Sequence, residues 1–224
     1  MDQSTAEFLS RKLGIAVEQV VREELELAVL KPLCESRIGD SLVFKGGTAL
    51  RLAYGSPRFS EDLDFSVLGP LSEKDFKKVS MAAAKNVTEG ILVEALAKHH
   101  TLFALFQFRI PYIGRPFSMK IEISIRKESW KTSLDYELKL LTSEVTNMTV
   151  LTQVATLERM HRDKRKALET RRQPRDLYDL WFISQKLGRD FEPDTTGILP
   201  SILRGELRKY LPRSHWRLID KWTA

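Results

Sequence analysis

The segment that most limits the fold of this chain is FKGGTALRLAYGSPRFSEDLDFSV, residues 44–67. The short apolar run SLVFK ends in paired glycines, TALRLAY then suits a short helix, and Leu63, Phe65 and Val67 next alternate with Asp62, Asp64 and Ser66. Such alternation has the period of a strand with one buried face. The order strand, glycine turn, helix, strand therefore sends Asp62 and Asp64 out of one face of a β-segment, about 7 Å apart along the chain. Both carboxylates can reach one hard cation there, while Leu63 and Phe65 anchor the other face in the core. A lone Asp-x-Asp pair on an edge strand usually only discourages aggregation. This pair follows Gly46 and Gly47, just before a helix beginning near Thr48, where the backbone comes close to a ligand and free N–H groups bind phosphate.

The rest of the chain reads as follows. Val17, Val20, Val21, Leu25 and Ala28 give a helical period to residues 5–33, with Ser4 available as N-cap and Gly14 dividing the stretch. A helix opened by Ser72 is expected over 72–98. TLFALFQFRI (101–110) and FSMKIEISIRK (117–127) are expected as adjacent antiparallel strands joined by PYIGRP. From 152 onward the pattern is helical: 152–172, a helix opened by Pro174, then 198–211 and 213–222. The change of class near 150 suggests a core over 1–150 with the N-terminal helices, and a helical region over 151–224 that completes the active site.

Composition narrows the chemistry. Cys34 is the only cysteine, and the four histidines lack ligand spacing, so neither a disulfide nor a thiolate or histidine zinc site is expected. No apolar run approaches the roughly 18 residues of a membrane span, and MDQSTAEFLSRKLG lacks the features of an export signal, which makes a cytoplasmic protein the expectation. Net charge is +6, concentrated in HRDKRKALETRRQPR and again around Arg204 to Arg217. That balance suits a polyanion such as RNA, although basic runs on helices are often only solvated faces. It argues against a cationic antibiotic as acceptor.

The KGGTALRLAY and RFSEDLDF segments resemble motif I of polymerase-β-like nucleotidyltransferases, and their wording is similar to the AbiEii/AbiGii (MenT-like) toxin branch of bacterial toxin–antitoxin and phage-defence systems. KIEIS at 120–124, KRKALETR at 164–171 and RDLYD at 175–179 resemble the second, third and fourth motifs of that family. The resemblance implies an α/β (α+β) fold: a small mixed sheet flanked by helices and followed by a helical C-terminal part. It implies Asp62, Asp64 and Glu122 as ligands of Mg2+, with Mn2+ as a substitute, and a nucleoside triphosphate as substrate. Asp62, Asp64, Lys164 and Asp179 are the expected catalytic set. Gly46, Gly47, Thr48, Ser60, Lys120, Arg175 and Asp176 are expected around the nucleotide. Lys120 either neutralises phosphates or pairs with Glu122. Asp179 either orients Lys164 or Arg175 or activates the acceptor hydroxyl, and Asp176 could be only a first-turn acid favoured by the helix dipole. Ser60 could bind phosphate, be modified to block the site, or be a strand-edge hydroxyl. The implied acceptor is RNA, with the transfer-RNA 3′ end the leading candidate, and the implied partner is a cognate antitoxin, with or without direct contact. A non-catalytic nucleotide- or nucleic-acid-binding module on a degenerate transferase fold is the alternative.

Overall fold

The structure is a computed structural model that describes residues 1–223. Two helices open the chain, α1 (Gln3–Leu13) and α2 (Val17–Cys34), and Gly14 at φ 65° ends the first. The N-cap of α1 is Asp2 rather than Ser4: the Asp2 carboxylate accepts the Thr5 N–H, and the Ser4 hydroxyl itself donates to Asp2. Strand β1 (Leu42–Lys45), helix α3 (Gly46–Tyr54) and strand β2 (Leu63–Val67) follow in the expected order.

The expected helix over 72–98 is two elements, α4 (Glu73–Lys85) and strand β3 (Gly90–Lys98). Ser72 does cap α4. Leu92 and Leu96 fit a helical period, but β3 pairs along its length with β4 (Thr101–Phe108), and that pairing overrides local preference. The turn between them is His99–His100, with His99 at φ 43°. Strand β4 pairs antiparallel with β5 (Phe117–Ser124), as expected. Two strands were not expected: β6 (Tyr136–Leu141) and β7 (Val150–Ala155). The helix expected from 152 begins at Leu157 instead, because Val150, Thr152 and Val154 alternate into the core and Thr156 caps the helix with a bond from the Arg159 N–H. Four helices complete the chain: α5 (Leu157–Arg171), α6 (Pro174–Lys186), α7 (Pro200–Tyr210) and α8 (Trp216–Trp222).

The strands form one mixed sheet in the order β3-β4-β5-β2-β1-β7-β6. Helices flank it, giving a mixed α/β fold. At its centre β2 runs antiparallel to β1 and parallel to β5, and β1 runs parallel to β7. One face of the central strands packs Phe44 and Phe65, ring centroids 5.0 Å apart, with Leu63, Ile121 and Ile123. Helix α2 adds Leu27, Leu30 and Leu33 to this core. The opposite face at β2 and β5 carries Asp64, Lys120 and Glu122. No helix is long and apolar enough to cross a membrane.

Phe65→Ala is expected to lower stability by about 3–5 kcal/mol in urea denaturation, since it empties the sheet centre. Leu138→Ser on the exposed face of β6 is expected to change it by less than about 0.5 kcal/mol.

Candidate active site

Asp64 lies within β2, where its Cα partners are Lys45 on β1 and Glu122 on β5. Asp62 lies just before the strand, and its Oδ1 accepts the Lys120 N–H at 3.2 Å. The Lys120 ammonium stands 3.9 Å from the same carboxylate, so Lys120 pairs with Asp62 rather than with Glu122. Thr48 is buried, and its hydroxyl donates to the Asp62 carbonyl at 2.6 Å. It fixes the entry to β2 and has no hydroxyl proton left for a phosphate.

The two glycines make room for these groups. Gly46 takes φ 82°, and a β-carbon there would collide with the Asp64 carboxylate. At Gly47 a β-carbon would meet the Arg58 guanidinium and lie 2.7 Å from the Ser60 hydroxyl. Helix α3 thus starts against both the carboxylate strand and the loop that carries Arg58 and Ser60.

The C-terminal helices supply the cations. The Lys164 ammonium, on α5, stands 2.6 Å from Asp179 and 2.9 Å from Asp176, both on α6. Arg171 donates twice to Asp176, at 2.6 and 2.9 Å. Arg58 donates in bidentate fashion to Asp179, at 2.7 and 2.8 Å. Asp176 and Asp179 are 1% and 0% exposed, so neither is a solvated helix-start acid. Burial alone would raise the Asp179 pKa, but Arg58 and Lys164 outweigh it and hold the group below its ordinary value. Asp176 is likewise held down, to about 2, by Arg171 and Lys164 against the effect of burial. Lys164 is raised, since its two carboxylates outweigh its own desolvation.

Asp64 behaves in the opposite sense. Burial first, and then the Asp62 charge, push its pKa up to about 6, with Glu122 adding to the rise while Lys164 and Lys45 oppose it. Between these groups is a cavity of about 230 Å³ lined by Lys45, Gly46, Asp64, Asp163, Lys164 and Arg171. Among the described residues no three His, Cys, Asp or Glu side chains are already gathered at the spacing of a bound ion. The donor set nevertheless suits a hard divalent cation: it is all carboxylate oxygen, and the repulsion that raises Asp64 is what such an ion relieves.

Of the residues expected from sequence, Gly46, Asp64 and Lys164 line the cavity. Gly47 and Ser60 lie together at the start of α3, and Asp62, Lys120 and Glu122 occupy the adjoining sheet edge. Arg175 points elsewhere, pairing with Glu206 on α7 at 2.7 Å and standing over the Tyr210 ring. Sequence reasoning missed Arg58, Lys45 and Asp163. Lys45 and Arg58 open the KGGTALRLAY and RFSEDLDF segments, so both stood inside the recognised motif without being given a role; Asp163 adjoins Lys164 inside a run of charges.

Carboxylates on a central strand, facing a glycine-started helix and a lysine fixed by two buried acids, define a site of nucleotidyltransferase type. The chain belongs to the AbiEii nucleotidyl transferase toxin family of type IV toxin–antitoxin systems, whose model matches residues 28–219. Among solved structures it is similar to JHP933 from Helicobacter pylori, with TM-score 0.59 and 22% identity over 93% of this chain and 94% of that one. It is also similar to MenT4, a nucleotidyltransferase toxin from Mycobacterium tuberculosis, with TM-score 0.62 and 20% identity over 89% of this chain and 67% of that one. At these identities the likeness establishes the fold. No curated protein matches the chain at a significant level.

Two substitutions should move stability in opposite directions. Asp179→Asn removes the charge of the carboxylate to which the buried Arg58 guanidinium donates twice and is expected to cost about 3–5 kcal/mol in chemical denaturation. Asp64 has a folded pKa raised to about 6 from 3.8, so its charge penalises folding fully above pH 6 and not at all below the unfolded value. Asp64→Asn is therefore expected to stabilise the metal-free protein at pH 7 by up to about 3 kcal/mol. The gain should vanish as pH falls from 6 towards 4, and thermal melts across that range check it.

Proposed function

We propose that this chain transfers a nucleoside monophosphate from a nucleoside triphosphate to an acceptor hydroxyl on RNA, with the transfer-RNA 3′ end as the leading acceptor. The observation that carries the reading is the cavity in which Asp64, the glycine turn at Gly46 and the ammonium of Lys164 converge. The acceptor oxygen bonds to the α-phosphorus as the bond to the β-phosphate bridging oxygen breaks, pyrophosphate leaves, and the hydroxyl proton passes to solvent water. Mg2+ held by Asp62, Asp64 and Glu122 would supply the positive charge that polarises the α-phosphate and lowers the pKa of the attacking hydroxyl; Mn2+ would serve in its place.

The chain's own residues position the rest. Lys164 presents a fixed ammonium to the β- and γ-phosphates, where negative charge develops. Asp179 and Asp176 act through that lysine: Asp179 is wholly enclosed and its oxygens are engaged by Arg58 and Lys164, so it orients Lys164 and does not take the acceptor proton. Backbone N–H groups of Gly46 and Gly47, with the Ser60 hydroxyl, form the phosphate cradle, and Lys120 neutralises charge beside Asp62. Arg171 and Lys45 extend the cationic lining. RNA as acceptor draws support from the +6 net charge and its concentration in the C-terminal third. The C-terminal helices complete the site by delivering Lys164 and Arg171, and the cognate antitoxin is the partner that would restrain it.

Incubation with labelled triphosphates, magnesium and total RNA is expected to give label transfer with wild type. Asp62→Ala should lose it by at least about 10³-fold, and Lys164→Ala should lower kcat by about 10²-fold or more. Sequencing RNA 3′ ends with each triphosphate supplied in turn identifies the nucleotide and the acceptor. Nucleotide binding without transfer to any RNA would favour the non-catalytic module instead.

A further inference from the structure

A second cavity, about 740 Å³, lies where the turn between α1 and α2 meets the β4–β5 connection and the corner between α7 and α8. Its lining includes Arg11, Arg115, Arg208, Lys209, Arg213 and Trp216. Glu18 is the one acidic residue in the lining; of the five cations Arg208 pairs with Asp220 at 2.6 Å and Lys209 with Glu61 at 2.7 Å, which leaves Arg11, Arg115 and Arg213 to give the groove its positive excess. Arg11 and Arg115 are 72% and 76% exposed, and their nearest acidic oxygens, on Glu7 and Glu18, are 3.9 and 3.7 Å away. Such loose pairs leave both guanidinium groups available to an incoming anion.

Trp216 gives the groove an aromatic wall. Its indole N–H donates to the Leu211 carbonyl at 3.1 Å, which fixes the ring, and the Arg208 and Arg213 guanidinium carbons lie 4.9 and 6.0 Å from its centroid. A ring held still beside two guanidinium groups can stack a base while the cations take the adjoining phosphates. An acidic peptide offers the charge but no flat π-face. The groove borders the segment that leads into the candidate active site: Lys209 pairs with Glu61 at 2.7 Å, Tyr210 donates to Glu61 at 2.6 Å, and Glu61 directly precedes Asp62.

We propose that this groove is the binding track for single-stranded RNA, with one base stacked on Trp216 and the backbone led along Lys209 towards Asp62. The proposal rests on the reading of RNA as acceptor, and the test separates the two. The triple variant Arg11→Glu, Arg115→Glu, Arg213→Glu is compared with Lys74→Glu, Lys77→Glu, Lys78→Glu, which makes the same charge change on the exposed side of α4. Thermal melts establish that both are folded. In fluorescence anisotropy with a single-stranded oligoribonucleotide, the groove variant is expected to lose about 30-fold or more in affinity. The control should lose less than about 3-fold, and the slope of log affinity against log salt should fall by about 2 in the groove variant only, three contacts at roughly 0.7 each.

RNA is also expected to quench a tryptophan signal present in wild type and missing in Trp216→Phe, whereas polyglutamate should not. Equal losses in groove and control variants, unchanged affinity in the groove variant, or quenching by polyglutamate would each overturn the proposal. Groove-dependent RNA binding with no label transfer by wild type would uphold the groove and defeat the transferase reading. Transfer to RNA with KM for RNA unchanged in the groove variant would do the reverse.

Discussion

The buried bidentate pair between Arg58 and Asp179 joins two parts of the chain 121 residues apart, at 2.7 and 2.8 Å. Arg58 belongs to the loop that delivers the carboxylates, and Asp179 belongs to the helix that fixes the lysine. Each ion alone would be costly in such a place, because removing an unpaired charge from water costs several kcal/mol. They are tolerable only together, with Lys164 and Asp176 extending the network and Arg171 closing it. The pair is weak evidence for stability as such, but it sets one arrangement of loop, α5 and α6, because any slippage would leave a buried charge unpaired.

Charge within that network does not balance. Arg58, Lys164 and Arg171 face Asp176 and Asp179, leaving one positive charge in excess, and Lys164 and Arg171 are the members that line the cavity. Across the cavity Asp62, Asp64 and Glu122 give an excess of negative charge, enough to raise Asp64. Each excess partly offsets the other, as the lowering effect of Lys164 on Asp64 shows. A divalent cation at the carboxylates would remove the need for that compensation and leave the ammonium to a phosphate.

The motif segment was legible because its two requirements, strand alternation and glycine where the backbone must pass a carboxylate, are written in adjacent residues. The antiparallel β4–β5 pair was legible from two β-rich runs joined by PYIGRP, and the fold class was implied by the motif resemblance. β3 was not, because ILVEALAK has no breaker before it other than Gly90, and its strand state is set by a partner beyond the His99–His100 turn. β6 was hidden by an exposed face of leucines, Leu138 and Leu140, that blurs alternation on an edge strand. Lys164 and Asp179 could be chosen by resemblance, whereas Arg58, although it opens the RFSEDLDF segment, was given no role: a guanidinium on a proline-containing loop looks like any solvated arginine until a carboxylate from α6 encloses it.

The loop from Gly55 to Asp62 has no regular secondary structure, yet it is clamped by four different contacts. Arg58 is held by Asp179, the Phe59 N–H by the Tyr210 carbonyl, Glu61 by Lys209 and Tyr210, and the Asp62 carbonyl by Thr48. Three of the four reach into the C-terminal helices and the fourth into α3. A loop fixed this way can hold Asp62 close to Asp64, which is itself set by the pairing of β2 with β1 and β5, against the repulsion between the two carboxylates. The C-terminal helices, distant in sequence, thereby position the segment that leads into Asp62.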